Sequence, residues 1–183
     1  MPKDNINAKI ENIVASITLG RDLDLDKLTK SVTGIEKPKR FPGVIYRLQE
    51  PKCSMLIFRT GKVICSGARS RTDIDAAAEK LLAKLQEAQM PVKDKPKIEI
   101  QNIVASASLD FRVNLDQLAM ECENTEYEPE QFPGLIFRLD DPKTVMLVFK
   151  SGKMIITGAK TPAMARLAGE RTREILKEIN AAI

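Results

Sequence analysis

The groups in this chain that could do chemistry come in pairs. Asn12 and Asn102 each sit inside an apolar run, Ile-x-Asn-Ile-Val-Ala-Ser, written once from Ile10 and again from Ile100. A carboxamide both donates and accepts hydrogen bonds, and one placed twice in a dry interior would need buried partners twice. Phe41-Pro42-Gly43 returns as Phe132-Pro133-Gly134, Arg47 as Arg138, Phe58 as Phe149, Lys62 as Lys153 and Ser66 as Thr157. Four of the six phenylalanines are therefore matched, in a chain with two tyrosines and no tryptophan. Amides, hydroxyls, aromatic rings and cations are chemistry for recognition, and the groups that make and break bonds are missing.

There is no histidine, which removes the usual general base and the commonest metal ligand. Gly61 and Gly67 lack the spacing of a phosphate-cradling loop. Asp22, Asp24 and Asp26 alternate as metal-loop ligands would, yet the central glycine and terminal glutamate of such a loop are absent. The second copy has Arg112, Asn114 and Asp116 there, so a helix-capping cluster is expected instead. Cys53, Cys65 and Cys122 have no metal-type spacing, and Thr144 and Ile156 stand opposite the first two, so reduced thiols are expected. The reading is a non-enzyme without cofactor or metal.

The elements that must position these groups are doubled as well. Aligning 10–28 with 100–118 and 38–68 with 129–159 gives 27 identities in 50 pairs, and the offset rises from 90 to 91 between the blocks. One residue has thus been inserted in a loop. Two copies are too few for a solenoid; they predict a pseudo-two-fold molecule of two domains, residues 1–90 and 91–183. Such a molecule suits a ligand with its own approximate two-fold symmetry, and duplex DNA is the obvious one. The net charge of +4 is uneven, with 16 Lys/Arg against 11 Asp/Glu in residues 1–90 and 13 against 14 in the rest. The halves differ electrostatically, which gives the molecule a direction.

Each copy opens with an apolar strand, 10–19 and 98–109, followed by a short helix capped by Asp24 or Asn114. Gln117, three residues after Asn114, completes a capping-box pattern. Strands follow at 43–49, 53–59 and 62–67, and at 134–140, 144–150 and 153–158, with Thr60-Gly61 and Ser151-Gly152 as hairpin turns. A longer helix closes each copy, with stripes at Ile74, Ala78, Leu81, Leu82 and Leu85, and at Met164, Ala168, Ile175 and Ile179. Thr161-Pro162 starts the second of these, and residues 88–97 link the copies. In Ser54-Met55-Leu56-Ile57-Phe58 and Val145-Met146-Leu147-Val148-Phe149 both alternating faces are apolar. Either helices cover both faces, or four helices cover one face and the other is an exposed binding surface.

The doubled Asn-Ile-Val-Ala-Ser and Phe-Pro-Gly-x-Ile-x-Arg-Leu blocks, with the repeated Pro-Lys…Met-Leu-x-Phe-x-x-Gly-Lys…Gly-Ala segments, resemble the TATA-box-binding protein family over about residues 6–180. The lack of a long N-terminal extension makes the chain look like an archaeal member. The resemblance implies an α+β fold, a saddle-shaped ten-stranded curved antiparallel sheet with four helices on its convex face. It assigns Phe41, Phe58, Phe132 and Phe149 as wedges between base steps, a mode for which this family is itself a standard example. It assigns Asn12, Val14, Leu56, Ile64, Ser66, Asn102, Val104, Leu147, Ile155 and Thr157 to the bases of the minor groove. Adenine N3 and thymine O2 accept hydrogen bonds there, and a guanine amino group would intrude. Arg47, Lys62, Arg138 and Lys153, with Arg40, Arg69 and Lys160, are implied phosphate contacts, which set affinity more than sequence choice.

Glu128, Glu130 and Gln131 resemble the family's docking loop for transcription factor B, although a leucine often stands where this chain has Gln131. The implied partners are a TATA-box promoter, transcription factor B and the RNA polymerase preinitiation complex, with a homodimer through the same face when DNA is absent. The implied location is cytoplasmic and nucleoid-associated, and no stretch approaches the length of a membrane span. Two other classes remain open: a non-catalytic module for RNA or hybrid duplexes, and a protein-interaction module using the same face.

Overall fold

The computed structural model describes residues 5–183. The first copy comprises β1 (Lys9–Thr18), α1 (Leu25–Ser31), β2 (Ile35–Glu36), β3 (Val44–Gln49), β4 (Lys52–Ile57), β5 (Lys62–Ala68) and α2 (Arg71–Glu87). The second repeats the order with β6 (Lys97–Ser108), α3 (Leu115–Glu121), β7 (Thr125–Glu126), β8 (Leu135–Asp140), β9 (Lys143–Val148), β10 (Lys153–Ala159) and α4 (Pro162–Glu178). The result is the expected ten-stranded antiparallel sheet with four helices, in strand order β2-β3-β4-β5-β1 for the first copy and β6-β10-β9-β8-β7 for the second. By spatial proximity the chain divides into Asn12–Gln101 and a second unit made of the residues up to Glu11 with Asn102–Ile183. Both β1 and β6 therefore begin in one unit and end in the other.

Within Asn12–Gln101 burial alternates along β3 and β4 and over Lys62–Ser66 of β5. Val44, Tyr46, Leu48, Cys53, Met55, Ile57, Val63 and Cys65 are buried with Leu28 of α1 and Leu81 and Leu85 of α2. The residues between them, Ile45, Ser54, Leu56 and Ile64, are only half-buried. In the second unit Leu135, Phe137, Met146, Val148, Met154 and Ile156 are buried with Leu115 and Leu118 of α3 and Leu176 of α4. Val145 and Leu147 are half-buried there, and Ile155 is exposed. Helices thus cover one face of each half-sheet, which decides between the two readings of the doubly apolar strands. Each leucine or isoleucine withdrawn under the helices contributes about 1.5–3 kcal/mol, and the opposite face leaves comparable side chains in water.

Local structure departs from the sequence reading in three places. The two-residue strands β2 and β7, which pair with β3 and β8, were not read from patterning, because two residues show no periodicity. Residues 37–40 separate β2 from Phe41 and residues 127–131 separate β7 from Phe132, which locates the inserted residue in the second loop. On α4 the buried stripe is Ala165, Ala168, Gly169, Thr172 and Leu176. Met164, Ile175 and Ile179 only flank it. Small residues win the buried positions because the helix comes close: a Cβ on Gly169 would lie 3.0 Å from Ile6 Cγ2.

Asp24, Ser70, Asn114 and Thr161 cap the four helices, each accepting from a backbone N–H three residues on. The capping box at Asn114 is only half-formed. Its own N–H donates to the Ala181 carbonyl at 2.8 Å, so the Gln117 amide turns instead to the Ile179 carbonyl at 3.1 Å. Cys53 and Cys65 lie buried side by side under the helices of the first copy, and Cys122 is half-buried at the end of α3. The hydrogen bond to Cys53, together with burial, holds the Cys65 thiol well above the ordinary thiol range.

Candidate nucleic-acid interface

Both asparagines are held by the same device. Between Ile13 and Ala15 of β1 the register with β5 slips, and it slips again between β6 and β10 near Ile156 and Ala159. Each slip accommodates one extra residue on β5 or β10, a β-bulge, where Gly67 (φ 100°) and Gly158 (φ 92°) adopt the left-handed conformation that glycine allows. The bulge frees a backbone N–H from the ladder. Gly67 N donates to Asn12 Oδ1 at 2.6 Å, and Gly158 N donates to Asn102 Oδ1 at 2.7 Å. Since an N–H can only meet the oxygen, the orientation of each amide is fixed and Nδ2 is turned to the neighbouring hydroxyl and the open face. Asn102 Nδ2 lies 3.1 Å from Thr157 Oγ1, and Asn12 Nδ2 lies 3.5 Å from Ser66 Oγ.

Around these amides the open face is hydrocarbon. Val14, Leu56 and Ile64 share it with Asn12, and Val104, Leu147 and Ile155 share it with Asn102. At the ends of β4 and β9 stand the ring pairs. Phe41 meets Phe58 edge-on with centroids 5.5 Å apart, and Phe132 meets Phe149 at 6.0 Å. A glycine sits under each pair: a Cβ on Gly134 would lie 2.8 Å from the Phe132 ring and 3.0 Å from the Phe149 ring, and one on Gly43 would lie 3.0 Å from Phe41. The Phe-Pro-Gly motif is thus a ring and the space it needs. Phe132 is 44% exposed, a cost in water that a stacking partner would remove. A shallow hollow of about 600 Å³ lies against Phe149, Ile155, Lys153, Ser106 and Lys9.

The cations lie at the margins. Lys62, Lys153, Arg40, Arg69 and Lys160 are exposed. Arg47 and Arg138 are exposed too, and each makes an ion pair, with Glu36 at 2.5 Å and Glu126 at 2.7 Å. Lys37 closes a pair with Asp26, and that ammonium, by hydrogen bond and then by charge, holds the Asp26 carboxyl below its usual range. In the second copy Glu128, Glu130 and Gln131 are exposed on a loop whose turn is closed by Gln131 N and Phe132 N, both donating to the Glu128 carbonyl at 3.0 Å. Among the described residues no group of three metal-ligating side chains converges, and no helix is long and apolar enough to cross a membrane.

Several contributors escaped the sequence reading. Gly67 and Gly158 orient the amides, and their signal was the doubled Gly-Ala after Ser66 and Thr157. Glu11 accepts from Ser106 Oγ at 2.8 Å, and its repeat counterpart Gln101 donates to Ser16 Oγ at 2.9 Å. That pair stood at the variable position of the first motif. Glu36 and Glu126 gave no signal, because the insertion puts them out of phase with the alignment that matches the phenylalanines.

A doubled antiparallel sheet, helix-covered on one face and carrying matched amides, hydrocarbon and ring pairs on the other, defines a class of internally repeated recognition protein. Comparison with known proteins makes the class specific. The family described as transcription factor TFIID, or TATA-binding protein, matches residues 7–88 and again 97–179. The TATA-box-binding protein of Archaeoglobus fulgidus is 48% identical over 174 residues, covering 93% of this chain and 95% of its own. TATA-box-binding protein 1 of Haloferax volcanii is 51% identical over 170 residues, covering 91% and 89%. The solved structure of Methanococcus jannaschii TBP superposes with a TM-score of 0.87 at 45% identity, covering 94% of this chain and 99% of that one. The chain belongs to the TATA-binding protein family of general transcription factors.

Proposed function

We propose that this protein recognises TATA-box promoter DNA from the minor groove with its open sheet face, residues 1–90 and 91–183 acting as two TATA-binding repeats. The observation that carries the reading is the doubled amide, its oxygen held by a bulge glycine and its Nδ2 turned outward amid hydrocarbon. Two donors in an apolar surface suit adenine N3 and thymine O2, and a guanine amino group would intrude on that surface. Phe41 with Phe58 and Phe132 with Phe149 enter base steps at the two ends of the box and kink it, the mode already exemplified by this family. Flexible TA steps are the cheapest places to do so. Arg47, Lys62, Arg138 and Lys153, with Arg40, Arg69 and Lys160 around them, neutralise phosphates.

Binding of a dye-labelled TATA duplex against a G·C-rich duplex of equal length, with end-to-end energy transfer and light scattering in the same titration, tests this. Box-selective binding with the duplex ends drawn together is the expected result. Light scattering should show a free-state homodimer, which hides the apolar face, giving way to a monomer on DNA. Equal, salt-sensitive binding of both duplexes without bending would sink the proposal.

In the promoter complex, at the nucleoid, the acidic loop of Glu128, Glu130 and Gln131 takes a basic surface of transcription factor B and through it RNA polymerase. Its support is charge: the matching loop of the first copy carries Lys37, Lys39 and Arg40 instead. Reversing Glu128 and Glu130 to lysine should abolish supershift of the DNA complex by transcription factor B while leaving DNA binding intact. Unchanged recruitment rejects the assignment.

A further inference from the structure

Two of the cations assigned to phosphates are already engaged. Glu36 lies opposite Ile45 across the β2–β3 pair, and its carboxylate accepts from Arg47 Nη1 at 2.5 Å. Glu126 lies opposite Ile136 across β7–β8 and accepts from Arg138 Nη1 at 2.7 Å. The arginines are matched at an offset of 91 and the glutamates at 90, so the same pair is rebuilt on either side of the inserted residue. Glu36 and Glu126 lie on the outermost strands of the order, and Ile45 and Ile136 are half-buried residues of the open face. The side chains of Arg47 and Glu36 are 53% and 65% exposed, and those of Arg138 and Glu126 are 49% and 62% exposed. Ion pairs in that much water contribute little to folding, so stability does not account for a doubled pair.

We propose that Glu36 and Glu126 are internal competitors of the DNA backbone, each holding the guanidinium that a phosphate must take over. The inference rests on the proposed minor-groove function. DNA binding then exchanges a carboxylate for a phosphate on the same arginine. An arginine already neutralised attracts passing polyanions weakly. When the box holds the duplex in register, a phosphate set at fixed distance from Arg47 or Arg138 forms a bidentate contact and wins. The pairs trade some affinity for every duplex against indiscriminate attachment, and part of the counterion release expected of a phosphate contact is cancelled by the carboxylate left behind.

Glu36→Gln and Glu126→Gln, singly and together in the full chain, keep a hydrogen-bond acceptor for each arginine and remove the charge. Glu87→Gln with Glu178→Gln, on α2 and α4, makes the same change in net charge away from these arginines. Each protein is titrated with box and G·C-rich duplexes over a series of salt concentrations, with melting temperature recorded. The double variant should bind both duplexes more tightly at low salt, by up to about fivefold per pair. Its log affinity should fall more steeply with log salt, by up to about 0.9 per pair. An unchanged slope, weaker binding, or an equal shift in the Glu87/Glu178 control overturns the inference. If either glutamine variant fails to fold, Glu36→Ala and Glu126→Ala carry the same slope comparison. Wild-type protein that does not prefer the box would instead reject the underlying function, whatever the variants do.

Discussion

Phe149→Ala should leave the protein folded and cost about 1–3 kcal/mol of DNA affinity, roughly five- to 150-fold, with the duplex ends farther apart in the complex. The ring is only half-buried, so folding loses less than the 3–5 kcal/mol or so typical of a core phenylalanine. What it loses is a partner: Phe132 rests edge-on against Phe149, above the space that Gly134 leaves empty. With Phe149 gone, Phe132 has no wall to hold it upright and the pair fails as a unit. Energy transfer between end-labelled dyes, read at saturating protein, separates the two effects. If the variant binds more weakly but bends the duplex as fully as wild type, the ring is a contact and the wedge assignment falls.

Asn102→Asp should be more damaging to DNA binding and nearly silent in stability. The carboxylate still accepts from Gly158 N, so the bulge keeps its partner. The donors, however, become acceptors with a negative charge, facing adenine N3, thymine O2 and a polyanion. Losing the hydrogen bonds and burying opposed acceptors together should cost about 3 kcal/mol or more, over a hundredfold in affinity. Asn102→Ala is the instructive contrast: it removes the donors but also orphans the Gly158 N–H, so it should lower the melting temperature as well. An Asn102→Asp variant that still binds the box within tenfold of wild type would show that Nδ2 does not face the bases.

Much of this was legible in the residues because the chain states its site twice. Asn12 with Asn102 and Phe58 with Phe149 stood out since a repeat filters incidental residues, and alternation along β1 and β4, and along β6 and β9, assigned their sides. Which face the helices covered was not legible, because Met55 and Leu56 are equally apolar and only packing distinguishes them. The stripe of α4 was misread for a related reason: Ile175 is more hydrophobic than Thr172, but close approach of the helix favours the smaller side chain, whose hydroxyl is satisfied by the Ala168 carbonyl at 2.8 Å. The bulges and the Glu36–Arg47 and Glu126–Arg138 pairs depend on register, which a string of residues does not carry.

The two sulfur atoms beneath the first copy have a practical consequence. Cys53 and Cys65 are fully enclosed, whereas the second copy has Thr144 and Ile156 in their places. Thiol-exchange chemistry on the native protein therefore senses opening of one half only, after Cys122 has reacted from its half-buried position. A molecule that is nearly its own duplicate in sequence thus carries a label that tells its halves apart. The kinetics of masking on DNA would show when the first half tightens.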